Sequence, residues 1–135
     1  MENRFNKKNR RKYNLKVHIV LVTKYRKGIL KNSCINNDLK IKILDVCNNN
    51  NYQIIAMETD KDHIHLLLCY DTTICVADIV KVLKQETTYY LWQKYYNLLI
   101  KQYWKKKIFW SDGYFACSIG EVSTDTIQKY IENQG

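Results

Sequence analysis

Apolar side chains fall into short alternating runs and longer runs with helical spacing, in an order that predicts a small α+β domain. From Tyr13 to Val22, Leu15, Val17, Ile19 and Leu21 alternate with Lys16, His18 and Val20, the period-two pattern of a strand whose centre is apolar enough to be covered on both faces. After a turn containing Gly28, the residues Ile35, Leu39, Ile43, Val46 and Cys47 recur at helical spacing. That run ends in Asn48 to Asn51, which favour turns over helix interiors. Residues 52–59 and 63–70 read as two further strands joined by the polar Asp60-Lys61-Asp62, a link short enough for an antiparallel hairpin. From Cys75 onward, Val76, Ile79, Val80, Leu83, Thr87, Tyr90 and Leu91 describe a long helix, extended or restarted through Tyr95 and Leu99. Tyr114 to Ile119 reads as a fourth strand. Ser123, as an N-cap with Asp125 in the first turn, opens a final helix carrying Ile127, Tyr130 and Ile131. The order β-α-β-β-α-β plus a terminal helix is the split βαβ, ferredoxin-like arrangement: one antiparallel sheet with helices on one face.

Composition narrows the setting. The 135 residues contain no Pro and only 4 Gly, which suits regular elements with short connections. No repeat or linker interrupts residues 13–135, so they read as one domain, preceded by a basic, flexible arm over residues 1–12. The 5 Cys form no CxxC pair and are odd in number, arguing against a zinc ribbon or a disulfide framework and for a reducing, cytoplasmic setting. No run approaches the roughly 18 apolar residues of a membrane span, and no apolar stretch follows the basic start, so membrane insertion and export are not expected.

A net charge of +9 points to a polyanionic partner, either nucleic acid or an acidic membrane surface. The cations cluster at Arg4 to Lys12, Lys24 to Lys31 and Lys101 to Lys107, the last interleaved with Tyr103, Trp104, Phe109 and Trp110. Aromatic rings among lysines suit stacking on unpaired bases beside a phosphate track, and that reading is preferred here over core aromatics next to a solvated basic face. Candidate DNA contacts are Arg10, Arg11, Lys12, Lys24, Tyr25, Arg26, Lys27, Lys84, Lys105, Lys106 and Lys107.

The sharpest chemistry lies in Asp62-His63-Ile64-His65-Leu66-Leu67-Leu68. Alternation puts His63 and His65 on one face of a strand and Ile64 and Leu66 on the other. Two imidazoles at that spacing can supply two neutral nitrogen ligands to a divalent metal and leave positions open, or they can simply be a solvent-facing polar pair. On the last helix Tyr130 and Gln134, four apart, share a face.

Residues 13–134 resemble the HUH single-tyrosine transposases of small insertion sequences, enzymes that move single-stranded DNA elements with hairpin ends. Four blocks carry the likeness in order: residues 17–27 (VHIVLVTKYRK), 59–67 (TDKDHIHLL), 109–115 (FWSDGYF) and 127–134 (IQKYIENQ). The resemblance implies that His63 and His65 bind Mg²⁺ or Mn²⁺ together with Gln134, and that Tyr130 is the nucleophile forming a 5′-phosphotyrosine link. It also implies a homodimer in which the Tyr130 helix completes the site across the interface. The family often has Pro near the end of the histidine strand, where this chain has Cys69-Tyr70-Asp71. Glu58 and Asp62 flank the histidines, and either can orient an imidazole from behind, although alternation aims Asp62 away from the side the histidines share. His18 is expected to stay outside the metal site, as a packing residue or a DNA contact.

Other functions accommodate parts of this pattern. A single-stranded nucleic-acid-binding ferredoxin-like module would need exposed aromatics where the sheet carries His63 and His65. A phosphoesterase using metal-bound water would leave Tyr130 idle. A domesticated transposase-like endonuclease acting on repeated palindromes would share all these residues.

Overall fold

Strands β1 (Leu15–Val22), β2 (Gln53–Asp60), β3 (His63–Tyr70) and β4 (Phe115–Ser118) form one antiparallel sheet in the order β2-β3-β1-β4. This is seen in a computed structural model that describes residues 15–104, 106–119, 129 and 131–133. β1 and β2, joined by a helical crossover, are separated by the antiparallel β3, as the split βαβ order requires. Helix α1 (Ser33–Asn49) starts where the Asn32 side chain accepts the main-chain N–H groups of Cys34 and Ile35, both at 3.0 Å. It ends in the Asn run, where Asn51 takes the left-handed conformation at φ 61° that asparagine tolerates better than most residues. Helix α2 (Val76–Lys94) stops at Tyr95 and the chain restarts as α3 (Tyr96–Gln102).

Helices and sheet meet in one core. Val17, Ile19 and Leu21 of β1 and Ile64, Leu66 and Leu68 of β3 pack against Ile35, Leu39 and Ile43 of α1 and Ile79, Leu83 and Leu91 of α2. Burying side chains of this size contributes about 1.5–3 kcal/mol each before entropy is counted, so one sheet face is committed to the helices. The alternate residues of β1 and β3 then face the other way, and these include His18, His63, His65 and Leu67. A second, small cluster lies there: Ala56 and Leu67 with Ile131, which is fully buried although it belongs to the C-terminal segment. A bulge between Ile54 and Ala56 shifts the β2–β3 register beside it.

The final helix expected from Ser123 lies largely outside the described residues; residues 129 and 131–133 are helical. The basic arm, Arg10, Arg11 and Lys12 included, also lies outside them, as do Lys105, Tyr130 and Gln134. Among the described residues, no helix is long and apolar enough to cross a membrane.

One sequence expectation needs correction. Of the four aromatics interleaved with the third basic cluster, Tyr103, Phe109 and Trp110 are core residues, and only Trp104 is exposed. Their polar atoms find internal partners: Trp110 Nε1 donates to Thr87 Oγ1 at 2.9 Å and the Tyr103 hydroxyl to the Lys24 carbonyl at 2.9 Å. Trp92 Nε1 reaches the Ile108 carbonyl at 2.8 Å and pins the same segment to α2. An indole or phenol whose donor is satisfied inside gains more from burial than from waiting for a base.

Candidate active site

The tight hairpin turn at Lys61 and Asp62 puts His63 at the first position of β3, and strand alternation aligns His65 beside it. Their rings meet edge to face, with centroids 4.9 Å apart and planes at 78°. Each imidazole is engaged through Nδ1. His63 Nδ1 lies 2.8 Å from Asp62 Oδ1, and His65 Nδ1 lies 3.1 Å from Nε2 of His18 on the neighbouring strand.

Asp62 meets His63 because it belongs to the turn and not to the strand, so the alternation that would aim it away does not apply. Its other oxygen, Oδ2, takes the Nε–H of Arg26 at 3.2 Å, and its carbonyl accepts from the Thr23 main-chain N–H at 2.9 Å. The hydrogen bond from His63, joined by that from Arg26, holds the Asp62 carboxyl below the usual carboxylate range. Glu58, opposite His65 in the β2–β3 register, instead lies 3.9 Å from Lys40 of α1.

His18, expected to stand apart from the histidine pair, stacks on His65 with centroids 5.4 Å apart and planes 13° from parallel. Phe115 of β4 closes over it edge-on at 5.7 Å. Burial lowers the His18 pKa. His65 is pushed down to about 4, by burial first and then by the neighbouring His63 and His18. At neutral pH it is an uncharged imidazole, the form a metal requires. The pattern of β1 puts Lys16, His18 and Val20 on the side away from the helices, and the β1–β3 register, which that pattern does not encode, sets this face beside His63 and His65.

The donor set fits a divalent metal. The Nδ1 atoms of both histidines are engaged with other side chains, so Nε2 is the atom through which each could ligate a metal. Among the described residues, no third His, Cys, Asp or Glu joins them in a metal-holding group. A metal held here would need further donors of another kind or from residues outside that set.

A second feature adjoins this one. Tyr25 and Arg26 both adopt the left-handed conformation, at φ 61° and 53°, an unfavourable state for such side chains. The turn is held by Thr23 Oγ1 donating to the Lys27 carbonyl at 2.7 Å and by the Arg26 bridge to Asp62. Tyr25 is 71% exposed, and with Trp104 it borders a cavity of roughly 440 Å³ whose walls include Lys27 and Lys106. Lys106 and Lys107 are exposed. Lys24 pairs with Asp112 at 3.3 Å. Lys84 does something else: its ammonium donates to the carbonyls of Ser111, Asp112 and Gly113 at 2.8, 3.2 and 3.0 Å, which occupies all three donors on the chain itself. Burial lowers its pKa.

The family described as "Transposase IS200 like" matches residues 11–134. The chain is 32% identical over 122 residues to the ISDra2 transposase TnpA of Deinococcus radiodurans, covering 90% of this chain and 85% of that protein. It is 29% identical over 126 residues to a transposase for insertion sequence element IS200 from Salmonella typhimurium, covering 91% and 78%. Among solved structures, a putative transposase from Deinococcus radiodurans superposes with a TM-score of 0.71 at 29% identity, covering 89% of this chain and 90% of that one. A REP-associated tyrosine transposase bound to a REP hairpin shares the fold, with a TM-score of 0.60 at 12% identity over 89% of this chain and 64% of its own.

Proposed function

The chain belongs to the IS200-like transposases, and from that premise we propose that it cleaves and rejoins single-stranded DNA at insertion-sequence ends through a covalent 5′-phosphotyrosine on Tyr130. The observation that supports this most is the pair His63 and His65, each held at Nδ1 by a different partner, on the sheet face against which Ile131 of the C-terminal segment packs.

His63, His65 and Gln134 are the residues proposed to hold Mg²⁺ or Mn²⁺. When bound, the metal draws charge from a phosphate oxygen and lowers the cost of the crowded, highly charged transition state. The chain's own groups do the rest. Asp62 holds the His63 ring in the tautomer that offers Nε2. The phenolic oxygen of Tyr130 attacks phosphorus, the bond from phosphorus to the 3′ oxygen breaks, and the phenol's proton is lost as the freed oxygen becomes a 3′-OH. A DNA 3′-OH then reverses the step by expelling the tyrosine oxygen. One phosphodiester bond is exchanged for another without a nucleotide cofactor, since the phosphotyrosine conserves the bond.

DNA is gripped, in this reading, by the basic arm with Arg10, Arg11 and Lys12, by Lys24, Tyr25, Arg26 and Lys27, and by Lys105, Lys106 and Lys107. The exposed Tyr25 and Trp104 beside Lys27 and Lys106 suit an unpaired strand better than a duplex, because only unpaired bases offer their faces to rings. A hairpin end is the proposed substrate, in keeping with the REP hairpin bound by the distant structural relative. The active form is proposed to be a homodimer in which the Tyr130 segment of each subunit serves the histidines of the other. Exchange would place the same contact of Ile131 with Ala56 and Leu67 between copies instead of within one.

The test is incubation with single-stranded DNA carrying candidate element ends and Mn²⁺, followed by denaturing gel and mass spectrometry. An adduct on Tyr130 that is lost in EDTA is expected. Full cleavage in EDTA would overturn the metal-assisted reading, and tight binding without any adduct would favour the alternative of a single-stranded nucleic-acid-binding module without catalysis.

A further inference from the structure

The partners of His63 and His65 differ in kind. Behind His63 stands a carboxylate; behind His65 stands a third imidazole, His18, buried with Phe115 edge-on to it. A neutral imidazole has one N–H and one lone pair, and when it ligates through Nε2 its proton must sit on Nδ1. His65 can keep that proton only if the atom 3.1 Å away accepts it, and that atom is Nε2 of His18. His18 must then carry its own proton on Nδ1. We infer that His18 is a positioning residue: it accepts the Nδ1–H of His65, locks the tautomer that presents Nε2, and fixes the ring plane by stacking against it at 13°. The inference rests on the proposed metal-binding role of His65.

The arrangement has a chemical rationale. A carboxylate behind His63 brings a negative charge that makes that ring a stronger donor, whereas His18 orients His65 without adding charge. A second carboxylate would place two negative charges near the approaching phosphate. An imidazole orients equally well and avoids that repulsion. β4 participates as well: Phe115 pairs with Val20 in register and lies edge-on to His18, so the short strand holds the positioning ring in place.

Long-range proton–nitrogen NMR of the full, metal-free chain reads the tautomer of His65 directly. The wild type is expected to carry the proton on Nδ1. His18→Phe keeps a ring between His65 and Phe115 but offers no acceptor, and is expected to move the proton toward Nε2. His18→Gln, whose amide oxygen can accept the same bond, is expected to behave as wild type. In a Mn²⁺ titration followed by electron paramagnetic resonance, His18→Phe should lose on the order of 10- to 100-fold in affinity, while His18→Gln stays close to wild type. A wild-type His65 protonated on Nε2, or a His18→Phe chain with unchanged tautomer and unchanged Mn²⁺ affinity, overturns the inference. If His18→Phe fails to fold, the wild-type tautomer and His18→Gln still decide it. A wild-type chain that binds no Mn²⁺ yet shows the His18-dependent tautomer overturns the metal reading while upholding the hydrogen bond.

Discussion

Asp62 and His63 are neighbours in sequence, and the carboxylate of the first holds Nδ1 of the second at 2.8 Å. Adjacent residues on a strand point apart; this pair meets because the strand begins between them. One turn residue thereby orients a candidate ligand, anchors Arg26 and receives the Thr23 main chain. Asp62→Ala should weaken Mn²⁺ binding on the order of 10- to 100-fold, and Asp62→Asn, which still accepts from His63, should lose less. Titration of the two variants checks this; equal, wild-type affinity in both would show that the contact does not support the metal.

Tyr130→Phe removes one hydroxyl. A structural tyrosine would lose about 1 kcal/mol of stability and keep its activity, whereas the proposed nucleophile loses all strand transfer. The variant is expected to fold and bind hairpin DNA normally but form no adduct. Mixed with His63→Ala, it should recover cleavage, since exchange of the Tyr130 segment creates one site with intact histidines and an intact tyrosine. No recovery in heterodimers verified by mass would place both residues in one subunit, and an adduct on Tyr114 or Tyr95 would overturn the assignment.

Lys84→Met keeps the length of the side chain and deletes the donors to Ser111, Asp112 and Gly113. Hydrogen bonds to a charged group are worth about 1.5–3 kcal/mol, so a loss of that order in a urea titration is expected, with faster hydrogen exchange through residues 111–118. Unchanged stability with weaker, less salt-dependent DNA binding would instead make Lys84 a phosphate contact.

Acid should destabilise the metal-free protein earlier than carboxylate titration alone would bring about. The pKa values of His18 and His65 are lowered in the folded state, that of His65 to about 4. Against an unfolded value of about 6.5, the unfolded chain takes up protons first, so stability is full above about pH 6.5 and falls as the pH drops toward 4. Denaturation midpoints measured across this window should decline, and the decline should be shallower in His65→Gln.

The strands and helices were legible because their apolar periods are clean: β3 begins and ends where alternation of His63 to Tyr70 puts it, and α2 breaks at Tyr95, where the pattern allowed a restart. The histidine face was legible for the same reason. What was not legible depends on tertiary partners. Spacing cannot tell a ring that waits for DNA from one whose N–H has found a carbonyl, which is why Trp110 and Tyr103 read as candidate stacking residues and lie in the core. The meeting of His18 with His65 depends on the β1–β3 register, which the pattern of one strand does not encode. The three carbonyls that take up Lys84 belong to a loop with no periodic signal at all.

The left-handed turn at Tyr25 and Arg26 connects two of these features through a very short path. Tyr25 is proposed to hold a base, while the next residue, Arg26, grips Asp62, which grips His63. Under the proposed function, the place where DNA is held and the place where it is cut are joined by one peptide unit and two hydrogen bonds. On that reading the spacing between a base seated on Tyr25 and the scissile phosphate would be measured by this short run of contacts, whatever the DNA sequence between them.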